Sequence, residues 1–319
     1  MSTPPAPTRT VRAALTETIN AYPHMPDTVE GLPALHDRLD DVRRANVDHH
    51  VSLLAEASRQ GARVICFGEL FAGPYFAITH APMWVGLAES ATDGPTVKTL
   101  RDAARQHNMI VVAPIYEYDA TVDRRFNTAL LIDERGEVIG KFRKAHIPHG
   151  ANEKGSFLEG FYYDRSNGGN GQWPANISSD PFFPVFKTSV GSIGIAICYD
   201  RHFAGVMWSL AREGAELIFS PAVTFGEKSQ RMWHMEFPVD AVRHNVFIGG
   251  SNRRGREAPW NQEFFGESYF VGPNGLLANQ SSHPDLIIAD INLGELAGPD
   301  PSGWNLQRDC RHNVSMRLP

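Results

Sequence analysis

The stretch IGIAICYDRHF, at residues 193–203, gives the clearest indication of how the chain folds. Its first five residues are apolar or glycine, which is typical of a strand that is buried on both faces of a sheet. The sequence turns polar after Cys198, and residues 205–213 then have helical spacing up to Gly214. A buried strand that leads through polar residues into a helix indicates an α/β protein.

The same alternation of strands and helices continues on both sides of this stretch. The strands at 128–132 and 138–142 are close enough in sequence to form a hairpin, whereas other strands are separated by helices. This mixture predicts an α/β fold with mixed sheets covered by helices. We predict further strands at 11–20, 64–67, 109–115, 189–198, 217–220, 246–251, 268–272 and 286–291, and helices that end at Gly61, begin at Pro95, and span 205–213 and 230–244, the last kinked or divided at Pro238.

Length and composition are those of a large globular domain. The chain has 319 residues, 42% of them hydrophobic, which is enough for an extensive buried core. We predict a single domain over residues 1–319, with an N-terminal extension at about 1–10 and a C-terminal tail at about 300–319. The Gly- and Asn-containing insertion at 164–181 is predicted to be a surface loop, either a functional lid or simply mobile.

Composition also argues against several classes of function. The net charge of −6 and the lack of a concentrated basic stretch argue against nucleic-acid binding. No apolar run approaches the roughly 20 residues of a membrane span, and residues 1–10 lack the apolar segment of a secretory leader. Three scattered cysteines favour a reducing compartment, so we expect a cytoplasmic protein. Acidic or cysteine ligands at the usual spacings are lacking around His146 and His149, so no metal is expected.

Two residues at strand ends have a functional and a structural interpretation. Cys198 lies where a helix dipole and nearby cations could lower the pKa of its thiol, but cysteine is also a common core residue. Glu69 stands among apolar neighbours, where it is either half of a buried ion pair or a general base with a raised pKa. Tyr75 and Phe76 follow it closely and are candidate pocket walls. Strand C-termini meet at one edge of an α/β sheet, so Glu69 and Cys198 are predicted to be neighbours.

Lys144 lies in the segment KFRKAHIP, where charged and apolar residues alternate as on an exposed strand edge. A solvated charge is therefore its simplest interpretation. A lysine directed at a developing oxyanion, with a carboxylate nearby, is the catalytic alternative.

Three segments together resemble the nitrilase superfamily: CFGELFAGPYF (66–76), GKFRKAHIPH (140–149) and IGIAICYDRHF (193–203). ANEKGSFLEG and SNRRG make the chain most similar to the β-ureidopropionase branch, which comprises N-carbamoyl-amino-acid amidohydrolases. The resemblance covers nearly the whole chain. It implies a four-layer αββα sandwich with mixed sheets that assembles as a homodimer or a higher homo-oligomer.

The resemblance also implies catalytic roles. Glu69 would be the general base, Lys144 would stabilise the oxyanion, and Cys198 would be the nucleophile. A second glutamate of the family is assigned to Glu153, with Glu159 as the alternative because this segment is two residues shorter than the branch pattern.

The substrate implied is a small N-carbamoyl amino acid, hydrolysed without a metal or organic cofactor to ammonia, carbon dioxide and the amino acid. Arg201 matches the arginine that grips the substrate carboxylate, and His202 would assist it. Two departures bear on the substrate: Phe203 begins a segment without the usual Pro-Glu, and the 164–181 insertion lies where substrate loops occur. Hydrolysis of another linear amide or a nitrile is the alternative, and a binding protein without turnover is a third hypothesis.

Overall fold

A computed structural model describes residues 9–169, 173–298 and 302–311 of the chain. Most of the predicted extension at 1–10 and half of the predicted tail at 300–319 lie outside these ranges, and so do residues 170–172 of the insertion. Within the described ranges, no helix has both the length and the apolar character needed to cross a bilayer.

The first sheet contains six strands in the described ranges, in the order β16-β1-β2-β3-β4-β5. The neighbours β1, β2 and β3 are parallel, whereas β16, β4 and β5 join as antiparallel strands. Its strands are β1 (Thr10–Thr16), β2 (Val64–Cys66), β3 (Ile110–Asp119), β4 (Arg124–Ile132), β5 (Val138–Arg143) and β16 (Leu286–Asn292).

The second sheet repeats this arrangement, again with six strands in the described ranges, in the order β15-β14-β11-β10-β9-β8. The strands β9, β10 and β11 are parallel at its centre, between antiparallel neighbours. Its strands are β8 (Val185–Thr188), β9 (Gly191–Ile195), β10 (Leu217–Pro221), β11 (Phe247–Ser251), β14 (Tyr269–Gly272) and β15 (Gly275–Leu276).

Two short hairpins lie outside the large sheets and shape the functional region. One joins β6 (His149–Asn152) to β7 (Gly155–Leu158), and the other joins β12 (Arg254–Glu257) to β13 (Gln262–Phe265). The longer helices are α1 (Leu39–Arg59), α2 (Pro95–His107), α3 (Ala204–Arg212) and α4 (Glu227–His244), with the short α5 (Leu306–Asp309) near the end of the chain.

Alternating side chains along each strand divide the apolar residues between two cores. Ala13 and Leu15 of β1 face the second sheet and pack with residues such as Ile195 and Phe219. Ala14, between them in sequence, faces the other way and packs with Leu54 of α1 and other helix residues. Helices α3 and α4 cover the outer face of the second sheet. The layers are therefore helix, sheet, sheet, helix, which confirms the predicted four-layer αββα sandwich.

Most predicted elements are present, and the differences have simple causes. The predicted strand 189–198 is shorter, because the chain leaves the sheet after Ile195 and continues as a 3₁₀ turn over Cys198–His202. Helix α4 runs undivided through Pro238. The described part of the 164–181 insertion lies along β8, where Ile177 and Lys187 make backbone hydrogen bonds across the two segments.

Candidate active site

Four chemically active side chains follow the ends of four different strands. Glu69 comes three residues after β2, Lys144 directly after β5, Glu159 directly after β7, and Cys198 three residues after β9. All four are buried. Lys144 contacts both Glu69 and Glu159, and the charges of all three act on Cys198, so the four residues meet although β7 belongs to a hairpin outside the two large sheets.

Glu69 is held by three donors and is fully buried. Its Oε1 accepts hydrogen bonds from Lys144 Nζ at 2.7 Å and from Asn127 Nδ2 at 2.7 Å. Its Oε2 accepts one from the backbone N–H of Val223 at 3.0 Å. Of the two sequence interpretations, the buried ion pair is therefore present. This ion pair is compatible with a role as general base, because the three donors hold the carboxylate of Glu69 in one orientation.

Lys144 bridges two carboxylates. Besides Glu69, its Nζ contacts Glu159 Oε2 at 2.6 Å, and the hydroxyl of Tyr75 donates to Glu159 Oε1 at 2.9 Å. Burial alone would lower the pKa of Lys144, but the charges of Glu159 and Glu69 raise it above its ordinary value. The ammonium is thus kept charged in a site without water contact, and the interpretation as a solvated surface charge is wrong.

Glu153, the first choice for the second glutamate, does not reach Lys144. The β6–β7 hairpin turns at residues 153–154, so Glu153 lies at its tip and Glu159 returns at its base. The Oε1 of Glu153 instead accepts a hydrogen bond from the backbone N–H of Glu227 at 2.6 Å, at the start of α4. Glu159, the alternative, occupies the position beside the lysine.

Cys198 has an unusual backbone conformation. Its φ is 49°, in the left-handed region that a side chain with a Cβ rarely adopts. Its carbonyl accepts a hydrogen bond from Arg201 Nη1 at 2.8 Å. Burial and the negative charge of Glu69 raise the pKa of the thiol to about 12, against the opposing charges of Lys144 and Arg201. The sulfur is therefore a thiol at neutral pH, and nucleophilic attack requires a base to remove its proton.

Asp200 ties the lysine segment to the cysteine segment. This fully buried carboxylate accepts hydrogen bonds from the backbone N–H groups of His146 at 2.9 Å, Ala145 at 3.4 Å and Ile197 at 3.3 Å, and from His146 Nδ1 at 2.7 Å. Ala145 follows Lys144, and Ile197 precedes Cys198. One side chain thus fixes the backbone beside both reactive groups.

Cys198, Glu159 and Tyr75 form part of the wall of one cavity of about 360 Å³ that opens to solvent. Phe76, predicted to line it, instead packs in the core against Trp84, with ring centroids 6.0 Å apart. No described residue of the 164–181 insertion lines this cavity. The lining residues are Tyr75, Pro148, Asn152, Glu153, Phe157, Glu159, Cys198, Tyr199, Arg201, His202, Val223, Thr224, Phe225, Lys228, Ser229 and Met232.

Arg201 and His202 reach the cavity wall, but both are engaged with Glu236. Arg201 Nε lies 3.3 Å from Glu236 Oε2, and His202 Nδ1 lies 2.8 Å from Glu236 Oε1. The Arg201 side chain is fully buried, and its guanidinium carbon lies 5.1 Å from the ring centroid of Trp233. Burial lowers the pKa of His202.

In the described part of the chain, no group of three His, Cys, Asp or Glu side chains could hold a metal ion.

Sequence reasoning missed Asn127 and Asp200. Asn127 is a polar residue at the head of the apolar run TALLI, a position where an unpaired amide would be costly, and that conflict was a usable signal. Asp200 lies two residues after Cys198, and nothing in the sequence shows which backbone N–H groups its carboxylate binds.

A four-layer αββα sandwich in which a thiol at a cavity wall lies beside a buried cluster of one amine and two carboxylates defines the nitrilase superfamily class of proteins. Comparison with known families agrees: a model described as carbon–nitrogen hydrolase matches residues 42–298. The chain belongs to this carbon–nitrogen hydrolase family, and it is a hydrolase that acts on non-peptide C–N bonds.

Similar proteins include two plant enzymes and one bacterial structure. A β-ureidopropionase of Arabidopsis thaliana is 31% identical over 293 residues, which cover 86% of this chain and 67% of that protein. An N-carbamoylputrescine amidase of Oryza sativa is 29% identical over 289 residues, 86% of this chain and 89% of that protein. The crystal structure of a carbon–nitrogen hydrolase from Helicobacter pylori has a TM-score of 0.76 at 21% identity, covering 96% of this chain and 97% of the other. This last likeness shows the fold.

Proposed function

We propose that the protein is a thiol amidohydrolase that cleaves a small N-carbamoyl amino acid through an acyl-enzyme on Cys198. One observation carries the proposal: the buried Glu69–Lys144–Glu159 cluster lies within electrostatic reach of the Cys198 thiol, and Cys198 and Glu159 line a solvent-accessible cavity. Two similar proteins named for carbamoyl substrates support the choice of substrate.

In the first half of the reaction, Glu69 removes the proton from the Cys198 thiol as the sulfur attacks the carbamoyl carbonyl. Lys144 and a backbone N–H near Cys198 stabilise the negative oxygen of the tetrahedral intermediate. The intermediate collapses, and Glu69 gives its proton to the departing ammonia. The bond from sulfur to the carbamoyl carbon forms, and the bond from that carbon to the terminal nitrogen breaks.

In the second half, Glu69 removes a proton from a water molecule that attacks the thioester. The thiolate leaves and regains its proton, and the released carbamic acid splits into the amino acid and carbon dioxide. One water is consumed and one ammonia is released per substrate. Glu159 provides Lys144 with a second carboxylate contact, so that the ammonium stays in place while Glu69 gains and loses its proton.

A second candidate function is hydrolysis of another linear amide or a nitrile, which the same four side chains can perform. The rest of the substrate decides between the two candidates. The two similar proteins differ at this point, because ureidopropionate ends in a carboxylate and carbamoylputrescine ends in an ammonium group.

The test is ammonia release from a panel of N-carbamoyl amino acids, N-carbamoylputrescine, simple amides and nitriles. Intact-protein mass after brief exposure to the best substrate would identify the acyl group on Cys198. We expect Cys198→Ala to abolish turnover and the adduct. Cys66→Ala, which removes a buried thiol outside the cavity, is the matched control. Turnover by Cys198→Ala would refute the mechanism.

We further propose that the protein acts as a homodimer, or a higher assembly built from one, in the cytoplasm. Its support is an exposed apolar stripe on α4: Met235, Val239 and Val242 are 56%, 47% and 54% exposed and lie on one face at i, i+4 and i+7. A second copy that covers this stripe would remove it from water. A reducing compartment would keep the Cys198 thiol available.

A further inference from the structure

The charged groups at the buried end of the active-site cavity already form ion pairs with one another. Lys144 is held between Glu69 and Glu159. Arg201 donates to the Cys198 carbonyl at 2.8 Å and lies beside Glu236, and its side chain is fully buried. Although its Nη2 has no hydrogen-bond partner in the described ranges, that atom is sealed from solvent, so a ligand would reach it only if the side chain moved.

Most charged groups at the open end are also engaged. Glu153 accepts the backbone N–H of Glu227, and His202 Nδ1 contacts Glu236 at 2.8 Å. Both Glu153 and His202 line the cavity. Neither is an uncommitted cation that could receive an anionic part of a substrate.

Lys228 differs from all of these groups. It lies in the first turn of α4, is exposed to solvent and lines the cavity next to Ser229. Across residues 9–169, 173–298 and 302–311, no hydrogen bond or ion pair engages its side chain. Its charge lowers the pKa of His202, which places the two side chains within electrostatic reach across the cavity mouth. The cavity wall therefore presents a solvent-exposed ammonium that has no hydrogen-bond or ion-pair partner among the described residues.

We propose that Lys228 binds the carboxylate of the N-carbamoyl substrate, and that it is the residue that makes the enzyme select anionic substrates. This inference rests on the proposed function and assigns its specificity. The carbamoyl group reaches Cys198 at the buried end while the carboxylate stays near the open end. Arg201 is then a positioning residue that fixes the strained backbone of Cys198 through its carbonyl.

The test measures kcat and KM for two substrates of similar length, N-carbamoyl-β-alanine and the neutral N-propylurea. For Lys228→Ala we expect KM for the carboxylate substrate to rise roughly 10- to 100-fold, the effect of losing one charge-assisted hydrogen bond. The change for propylurea should be much smaller. Lys228→Arg should restore most of the affinity. Lys228→Glu should improve kcat/KM for the cationic N-carbamoylputrescine. Lys98→Ala, which removes the same charge from α2 far from the cavity, should alter neither substrate.

Arg201→Lys provides the contrasting result, because a positioning residue should lower kcat for both substrates rather than raise KM for one. Equal effects of Lys228→Ala on both substrates would overturn the proposal. It would also be overturned if Arg201→Lys raised KM for the carboxylate substrate alone. Calorimetric binding of N-carbamoyl-β-alanine to Cys198→Ala, with and without Lys228→Ala, gives a readout that needs no turnover. If the wild-type protein hydrolyses no N-carbamoyl compound, the proposed function itself fails. If it hydrolyses them without regard to Lys228, only the specificity assignment fails.

Discussion

At the level of single residues, the proposed chemistry starts from a Cys198 thiol that is protonated at neutral pH. Burial and the charge of Glu69 raise the pKa of Cys198 to about 12, so the thiolate fraction keeps growing up to high pH. We predict that the rate of alkylation of Cys198 by iodoacetamide rises continuously between pH 7 and 10. An unperturbed thiol would approach its plateau near pH 9. The measurement is adduct formation by intact mass, with Cys198→Ala as the blank, and a rate that levels off anywhere below pH 10 would contradict the prediction.

Asn127 provides a second prediction at this scale, because it donates a hydrogen bond to the carboxylate that we propose removes the thiol proton. Its Nδ2 donates to Glu69 Oε1 at 2.7 Å, beside the bond from Lys144. Asn127→Leu should lower kcat about 10- to 100-fold, the usual effect of losing a hydrogen bond to a charged group, with KM nearly unchanged. Steady-state kinetics would check this. A rise in KM with an intact kcat would place Asn127 in substrate binding instead.

The candidate site was predictable from the sequence only where a reactive residue directly follows a continuous apolar run. Cys198 follows IGIAI, and Glu69 follows VICF closely, so both could be placed at strand ends. Glu159 could not be separated from Glu153, because the hairpin strands HGAN and GSFL are half-buried or exposed and have no apolar pattern. The side-chain direction of Phe76 depends on a 3₁₀ turn that no periodicity predicts.

At the level of elements, the turn that carries Cys198 and the segment that follows β5 are joined through Asp200. In the wild type, the backbone N–H groups of Ala145 and Ile197 donate to Oδ2 of Asp200. In Asp200→Asn an NH₂ group, which cannot accept a hydrogen bond, would take the place of one carboxylate oxygen and would face such N–H donors. We predict a loss of about 1–3 kcal/mol in the free energy of unfolding. The variant should also have a lower kcat, because the segments bearing Lys144 and Cys198 become less fixed.

Urea denaturation and steady-state kinetics check this prediction together. His146→Ala is the matched control, because it removes one of the hydrogen bonds to Asp200 and leaves the backbone donors in place. Its effect on kcat should therefore be smaller than that of Asp200→Asn. A larger effect of His146→Ala would mean that the imidazole, rather than the backbone clamp, supports catalysis.

At the level of the whole molecule, the α4 stripe should decide the oligomeric state. A charge placed in an interface that excludes water is strongly unfavourable, at about 2 kcal/mol or more for each site. We predict that Met235→Glu combined with Val242→Glu converts the assembly to monomers, as measured by sedimentation or light scattering. Val122→Glu, at an exposed turn between β3 and β4, should leave the mass unchanged. A monomeric wild-type protein would refute the dimer proposal.

Acid sensitivity also belongs to the whole molecule, because it follows from a histidine buried between α1 and the first sheet. His50 packs against Phe67 and Phe71, and burial lowers its pKa to about 3. The unfolded chain binds this proton near pH 6.5, so stability is fully present above that pH and is lost progressively as the pH falls toward 3. Between pH 6.5 and 5 the loss is about 2 kcal/mol. Urea denaturation of His50→Asn should show a lower stability at pH 8, but the stability that it loses between pH 6.5 and 5 should be smaller than that of the wild type by about 2 kcal/mol. His36→Gln, at an exposed site, should lose as much as the wild type.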